Sequence, residues 1–271
     1  MKKLNFHLFT IIFAQTLFSA CDWIEYHPYD TRVDGPRNLN AQHIAQIEQE
    51  MRGRDSLRFA VLSDTQRWYD ETAAAVDNIN KRNDVDFVLH LGDLTDFGIT
   101  REFEWMHREL GKLDVPYVCL IGNHDCLGTG TDVFQQIYGN PDFSFNAGDT
   151  HFLCLNTNAF EYDYSMAIPN FSFMKSDREY LSPEIRRTIV AMHAAPTSDQ
   201  FNNNVADVFH DKIRAYPALQ FCLSGHNHAM LVFEPLEDGI TYYQCGAAKH
   251  REYILLTLTT DGDTIYEIVA Y

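Results

Sequence analysis

The sequence predicts an α/β domain, and three observations carry that expectation. From Leu57 onward, short apolar runs alternate with amphipathic segments. In the last third of the chain the pattern changes to strands paired around tight turns. Short polar clusters follow the apolar runs, at the points where strands would stop.

The strand candidates are Arg58–Ser63, Phe87–Leu91, Tyr117–Ile121, His151–Asn156, Thr188–His193 and Gln220–Ser224. Helical periodicity lies between several of them, at about Glu71–Arg82, Glu102–Lys112 and Asp132–Tyr138. Strand–helix alternation implies right-handed crossovers and mostly parallel sheets. Ala229–Glu234, Ile240–Cys245, Tyr253–Thr259 and Thr264–Ala270 are expected as antiparallel hairpins, with Asp261-Gly262 a strong turn signal. Residues 22–56 are polar and open with turn formers, then become helical near Asn40–Arg52. They are expected to form a tether and a helix docked on the domain. Residues 1–20 divide off as a leader, 21–56 as the tether and docking helix, and 57–271 as the catalytic domain.

Five polar clusters share one placement. They are Asp64-Thr65-Gln66, Gly92-Asp93-Leu94-Thr95-Asp96, Gly122-Asn123-His124-Asp125, His193, and Gly225-His226-Asn227-His228. The carboxyl ends of strands in an α/β sheet line one edge, where ligands bind. Clusters distant in sequence can therefore converge there. Carboxylate, amide and imidazole together suit manganese, iron or zinc. One carboxylate can bridge two cations, and such a pair stabilises the attacking and leaving oxygens of an in-line displacement at phosphorus. The glycines before Asp93, Asn123 and His226 are expected to permit sharp turns. Taken singly, a strand-terminal Asp is often a cap and a lone histidine such as His193 is often a core residue. His226 and His228, two apart, point the same way only where the segment is extended.

In that order, D-x-Q, GDxxD, GNHD, a lone His and GHxH resemble the signature of calcineurin-like metallophosphoesterases. The resemblance spans residues 58–228. It implies a four-layer α/β/β/α sandwich with two mixed β-sheets. It also implies roles: Asp64, Gln66, Asp93 and His228 would hold a first divalent metal ion. Asp93 would bridge to a second, completed by Asn123, His193 and His226. His124 would stabilise the transition state or protonate the leaving oxygen, Asp125 would orient His124, and Asp96 would support the metal ligands by hydrogen bonding. A metal-held hydroxide would be the nucleophile. Many members have histidine where this chain has Gln66. An amide oxygen is a harder ligand than imidazole, so manganese is expected at that site, with iron or zinc as alternatives. Glutamine there is similar to manganese-dependent ADP-ribose and CDP-alcohol pyrophosphatases, which points toward a diphosphate. The short GDLTDFG…GNHD spacing looks like the family's small phosphodiesterases. The implied activity is hydrolysis of a phosphodiester or phosphoanhydride. The alternatives are a non-catalytic ligand-binding envelope lipoprotein on the same scaffold, and a phosphomonoesterase or protein phosphatase.

Composition narrows the partners. The 271 residues are 45% apolar, enough for a packed core, and carry a formal net charge of -17. Such a surface repels polyanions, so no nucleic-acid polymer is expected, whereas a small phosphorylated substrate fits a metal centre that reverses the local field. At the N-terminus, Lys2 and Lys3 precede an apolar run from Leu8 to Phe18, then Ser19 and Ala20 before Cys21. This resembles a lipoprotein signal, departing from the usual pattern at Phe18, where leucine is more common. It implies a cell-envelope protein held to a membrane through lipid on Cys21. The other cysteines, Cys119, Cys126, Cys154, Cys222 and Cys245, are odd in number and lack CxxC spacing, so buried thiols are expected rather than disulfides. Between Asn156 and Tyr180 lies an aromatic-rich stretch without clear period, containing Phe160, Tyr162, Tyr164, Phe171 and Phe173. It suits either a lid that stacks a nucleobase or covers a lipid chain, or a loop packed on the domain.

Overall fold

Strand β1 (Leu57–Leu62) shows how the layers arise. Phe59 and Val61 face one core, while Ala60 and Leu62 face another. That division follows from the two-residue period of a strand buried on both sides. The computed structural model describes His27 and residues 29–271. Thr31–Tyr271 form one compact unit, and the residues up to Asp30 belong to a separate one. The leader and Cys21 lie outside the described residues. Among the described residues no helix is long and apolar enough to cross a membrane.

The first sheet runs β11-β10-β1-β2-β3. Its members β1, β2 (Phe87–His90) and β3 (Tyr117–Cys119) are parallel, and β10 (Glu252–Leu258) and β11 (Thr264–Ala270) form an antiparallel hairpin beside β1. The second sheet runs β4-β5-β6-β7-β9-β8. Strands β5 (Thr150–Leu155), β6 (Arg187–Met192), β7 (Leu219–Ser224) and β9 (Tyr242–Gln244) are parallel. Strands β4 (Phe143–Ala147) and β8 (Leu231–Phe233) are antiparallel edges.

The sheets pack face to face over Phe59, Phe87, Phe145 and Phe152. The Phe59 and Phe87 rings stack at 5.1 Å, and Phe145 and Phe152 at 4.8 Å. Each such buried ring contributes about 1.5–3 kcal/mol. Helices α2 (Tyr69–Lys81), α3 (Thr100–Leu110) and α4 (Gly130–Ile137) cover the first sheet through Val76, Phe103 and Phe134. Helices α5 (Phe171–Glu179) and α6 (Ala206–Arg214) cover the second through Met174 and Phe209. The result is a four-layer α/β/β/α sandwich with two mixed sheets.

Helix α1 (Leu39–Glu50) inserts Ile47 between the sheets. It also masks the edge of β3. Asn40 donates Nδ2 to the Cys119 carbonyl at 2.8 Å and accepts from the Cys119 N–H at 2.9 Å. The amide thus replaces a neighbouring strand at an otherwise open edge.

Three elements differ from expectation. Strand β4 and helix α6 were not marked by the sequence pattern. The stretch 156–180 contains a 3₁₀ turn (Ala159–Tyr162) and the whole of α5. Asn170, directly after Pro169, caps α5 by accepting from the Phe173 N–H at 3.0 Å, so the helix begins at Phe171. Phe171 and Phe173 pack on the second sheet's helical layer, which explains why that half reads as apolar without strand or loop character. All five described cysteines are free thiols, four of them buried and Cys126 partly so.

Candidate metal centre

The five polar clusters follow β1, β2 and β3 of one sheet and β6 and β7 of the other, so they meet at one end of the sandwich. Their backbones are forced together. A Cβ on Gly122 would lie 2.1 Å from the Asp93 nitrogen, and one on Gly225 would lie 2.0 Å from Ser63 Oγ. Gly92 alone of the three has a positive φ, +101°. Gly122 and Gly225 are required for close approach rather than for turning. Asp64, Asp93, His226 and His228 themselves adopt left-handed φ values of 52°, 59°, 72° and 59°. Such conformations are costly for non-glycine residues and collect where a site must be held in shape. His226 and His228 are therefore not on an extended segment, and they serve different halves of the site.

On the first half, the Asp64, Asp93 and His228 side chains offer ligand atoms within 4.8 Å of one another. His228 Nε2 lies 3.3 Å from Asp64 Oδ1. Asp64 Oδ2 accepts from Ser63 Oγ at 2.6 Å and from the His226 N–H at 3.1 Å. Asp64 Oδ1 and Gln66 Oε1 are buried without a hydrogen-bond partner. Gln66 Nε2 lies 3.4 Å from Asp93 Oδ2. Buried orphan oxygens are expensive unless a cation meets them.

On the second half, two imidazoles face Asn123. His193 Nδ1 is 2.9 Å from the Leu91 carbonyl, which can only accept, so Nδ1 carries the hydrogen. Nε2 then faces Asn123 Oδ1 at 3.0 Å and Asp93 Oδ2 at 3.4 Å. His226 repeats the pattern. Its Nε2 donates to Asp199 Oδ1 at 3.1 Å, and Nδ1 faces Asn123 Oδ1 at 3.0 Å. Two ring nitrogens thus converge on oxygens, an arrangement that a proton or a metal cation completes. Burial pulls the His193 pKa down, but the Asp93 carboxylate outweighs it and pushes it up to about 9. In the metal-free protein a proton occupies the place of the metal.

The donor set therefore fits divalent cations, and the sign of the His193 shift gives a prediction. A pKa raised above 6.5 supplies stability that is complete below that pH and lost as pH rises through about 9. The metal-free protein is expected to lose thermal stability across that window. Metal must displace the proton, so Mn²⁺ affinity is expected to rise about tenfold per pH unit there. Titration calorimetry at several pH values checks this, and a pH-independent affinity would remove His193 from the ligands.

His124 stands at the mouth. Its N–H donates to Asp93 Oδ1 at 2.9 Å, and ring Nδ1 donates to the Asp96 carbonyl oxygen at 2.8 Å. The supporting roles implied for Asp125 and Asp96 are corrected here. The Asp125 carboxylate makes no hydrogen bond to the His124 ring. Its carboxylate is buried and accepts from the Leu94, Thr95 and Gly122 N–H groups and from Thr95 Oγ1. It clamps the loops after β2 and β3 to each other. Asp96 orients His124 through its backbone carbonyl, while its carboxylate pairs with Arg67.

Four contributors carry no sequence motif. His90 is buried beneath the site; it accepts the Gly92 N–H at 3.2 Å through Nδ1 and donates Nε2–H to Thr65 Oγ1 at 2.9 Å. Burial first, against the pull of Asp64, holds its pKa down to about 3, so it is a neutral spacer between two loops. Ser63, Arg67 and Asp199 are the others. Asp199 lies in a turn six residues after His193, and nothing in its type or spacing signals that it fixes a histidine tautomer.

Fold and site together define the class of domain found in phosphoesterases. The pattern of the calcineurin-like phosphoesterase family matches residues 57–230, and the chain belongs to that family. Among curated relatives, it is 25% identical over 154 residues to a 3',5'-cyclic-nucleotide phosphodiesterase of Nostoc sp., covering 54% of this chain and 57% of that protein. It is 26% identical over 183 residues to a probable cyclic nucleotide phosphodiesterase of Moraxella catarrhalis, covering 60% of this chain and 65% of that one. The match thus spans less than two thirds of either relative. The fold is shared with the purple acid phosphatase PPD1 of yellow lupin, at a TM-score of 0.58 and 11% identity over 79% of this chain and 51% of that one. It is also shared with PhoD, at 0.53 and 9% identity over 78% and 68%.

Proposed function

We propose that this protein is a phosphodiesterase with a dinuclear metal centre, acting on a small phosphorylated substrate in the cell envelope. The observation that carries this is the convergence of seven candidate ligand side chains from both sheets, with two orphaned oxygens and two inward-facing imidazole nitrogens. Asp64, Gln66, Asp93 and His228 would hold one divalent cation. Asp93, Asn123, His193 and His226 would hold the other. Manganese is the favoured metal, because the Gln66 amide oxygen is a hard donor.

Such a metal pair supplies positive charge to the phosphate oxygens and a reactive water at neutral pH. The chain's own residues do the rest. Asn123 and Asp93 tie the two halves together, Leu91 and Asp199 fix the histidine tautomers, and His90 and Asp125 hold the loops. With Nδ1–H held by the Asp96 carbonyl, the doubly protonated His124 ring presents Nε2–H to the departing oxygen, transfers that proton to it and is left neutral. The relatives' names favour a nucleotide diester over a monoester. In this proposal residues 1–20 are the leader, Cys21 carries lipid, residues 21–56 tether and dock, and 57–271 catalyse.

The test is hydrolysis by the purified protein with Mn²⁺ of bis(p-nitrophenyl) phosphate, p-nitrophenyl phosphate and 3',5'-cyclic AMP. Diester turnover above monoester turnover is expected. Preference for the monoester would overturn the phosphodiesterase assignment, and no turnover despite bound metal would favour a ligand-binding lipoprotein.

A further inference from the structure

The segments around 156–164 and 198–200 form a wall beside the metal centre that the chemistry above leaves unused. Asn158 donates Nδ2 to the Ile121 carbonyl at 3.0 Å, directly before Gly122 and Asn123. The Tyr162 hydroxyl lies 2.9 Å from Thr131 Oγ1 and 3.5 Å from the Sγ of Cys126, two residues beyond His124. The Phe160 N–H donates to the Gln200 carbonyl at 3.2 Å, which ties the segment to the turn bearing Asp199. Tyr162 is therefore occupied in anchoring. Phe160 and Tyr164 are not, being 55% and 47% exposed with rings edge to face at 6.2 Å.

Glu161 sits between them in sequence, and its Oε1 accepts from Gln200 Nε2 at 2.9 Å. Gln200 is buried, and its own Oε1 has no hydrogen-bond partner. Burial raises the Glu161 pKa, the Gln200 bond and the His124 ring oppose the rise, and Asp93 and Asp199 add to it. The carboxyl is thus within electrostatic reach of the acid and of the bridging aspartate. The wall offers acceptors and aromatic faces but no cation. A lipid chain there would desolvate Glu161 without a partner. A second phosphate would be repelled by Glu161 and Asp199. A flat ring with N–H or O–H donors meets both features.

Building on the phosphodiesterase proposal, we infer that Glu161, held by Gln200 and flanked by Phe160 and Tyr164, recognises the nucleoside part of a nucleotide diester. Glu161 accepts from base or ribose donors, and Phe160 and Tyr164 lie against the base. These are specificity residues, distinct from the metal ligands and from His124.

The test compares kcat/KM for 3',5'-cyclic AMP with that for bis(p-nitrophenyl) phosphate, which has no N–H or O–H donor. For Glu161→Gln the cyclic AMP value is expected to fall at least about tenfold further than the other, from loss of a hydrogen bond to a charged acceptor. KM should carry the loss, with manganese content as in the parent protein. Phe160→Ala, at a half-exposed position, should lower the same ratio. Parallel losses on both substrates, or an unchanged ratio in both variants, would overturn the inference. If the parent protein cleaves bis(p-nitrophenyl) phosphate but not cyclic AMP or cyclic GMP, the nucleoside inference fails while the phosphodiesterase proposal stands. If it cleaves none of them, both fall.

Discussion

Replacing His124 with alanine is expected to lower kcat by about 10²–10⁴-fold, the range for a positioned general acid, while the metal content stays at the parent value. His124 contributes its backbone N–H to Asp93 but no side-chain atom to the ligand cluster, so the side chain can be removed without emptying the site. The loss should depend on the leaving group. A p-nitrophenolate departs without needing a proton, so it should suffer much less than an alkoxide such as a ribose oxygen. Equal losses on both would mean that His124 acts on the phosphoryl oxygens rather than on the leaving group.

Asp125→Ala is expected to be the most destabilising single change near the site. The buried carboxylate satisfies three backbone N–H groups and one hydroxyl, drawn from the loops after two different strands. Deleting it strands those donors and opens a cavity, at a cost of about 3–5 kcal/mol. For a domain of this size that corresponds to a fall in Tm of about 6–20 °C. Asp125→Asn should recover little of it, because the new NH₂ group would face donors. A thermal melt within about 2 °C of the parent, the shift that roughly 1 kcal/mol produces at this size, would show that the loops are held by other contacts.

Much of this architecture was legible in the sequence because the signals are local. Residues buried on both faces of β1, β2, β6 and β7 read as continuous apolar runs, and the polar residue after each run marks the sheet's carboxyl edge. Asp64, Asp93, Asn123, His193 and His226 could be placed there from position alone. What escaped is non-local. His90 looks like the end of an apolar strand until its two ring nitrogens are seen spanning the loops of Gly92 and Thr65. Asp199 has no motif, and its role appears only when β6 and β7 lie side by side. The roles of Asp96 and Asp125 came from the family resemblance, which does not show that Asp125 reaches back to the loop after β2 or that the Asp96 backbone carbonyl meets His124. The left-handed backbone at His226 and His228 defeats an extended-strand argument, since a strained conformation is decided by the packing around it.

Metal counting tests the central claim most directly. The purified protein, stripped with chelator and reloaded with Mn²⁺, should bind two ions per chain by elemental analysis after desalting. Asn123→Ala should bind one with the parent's affinity and lose diester hydrolysis. Two ions retained in Asn123→Ala, or fewer than two in the parent protein, would contradict a dinuclear centre at these residues.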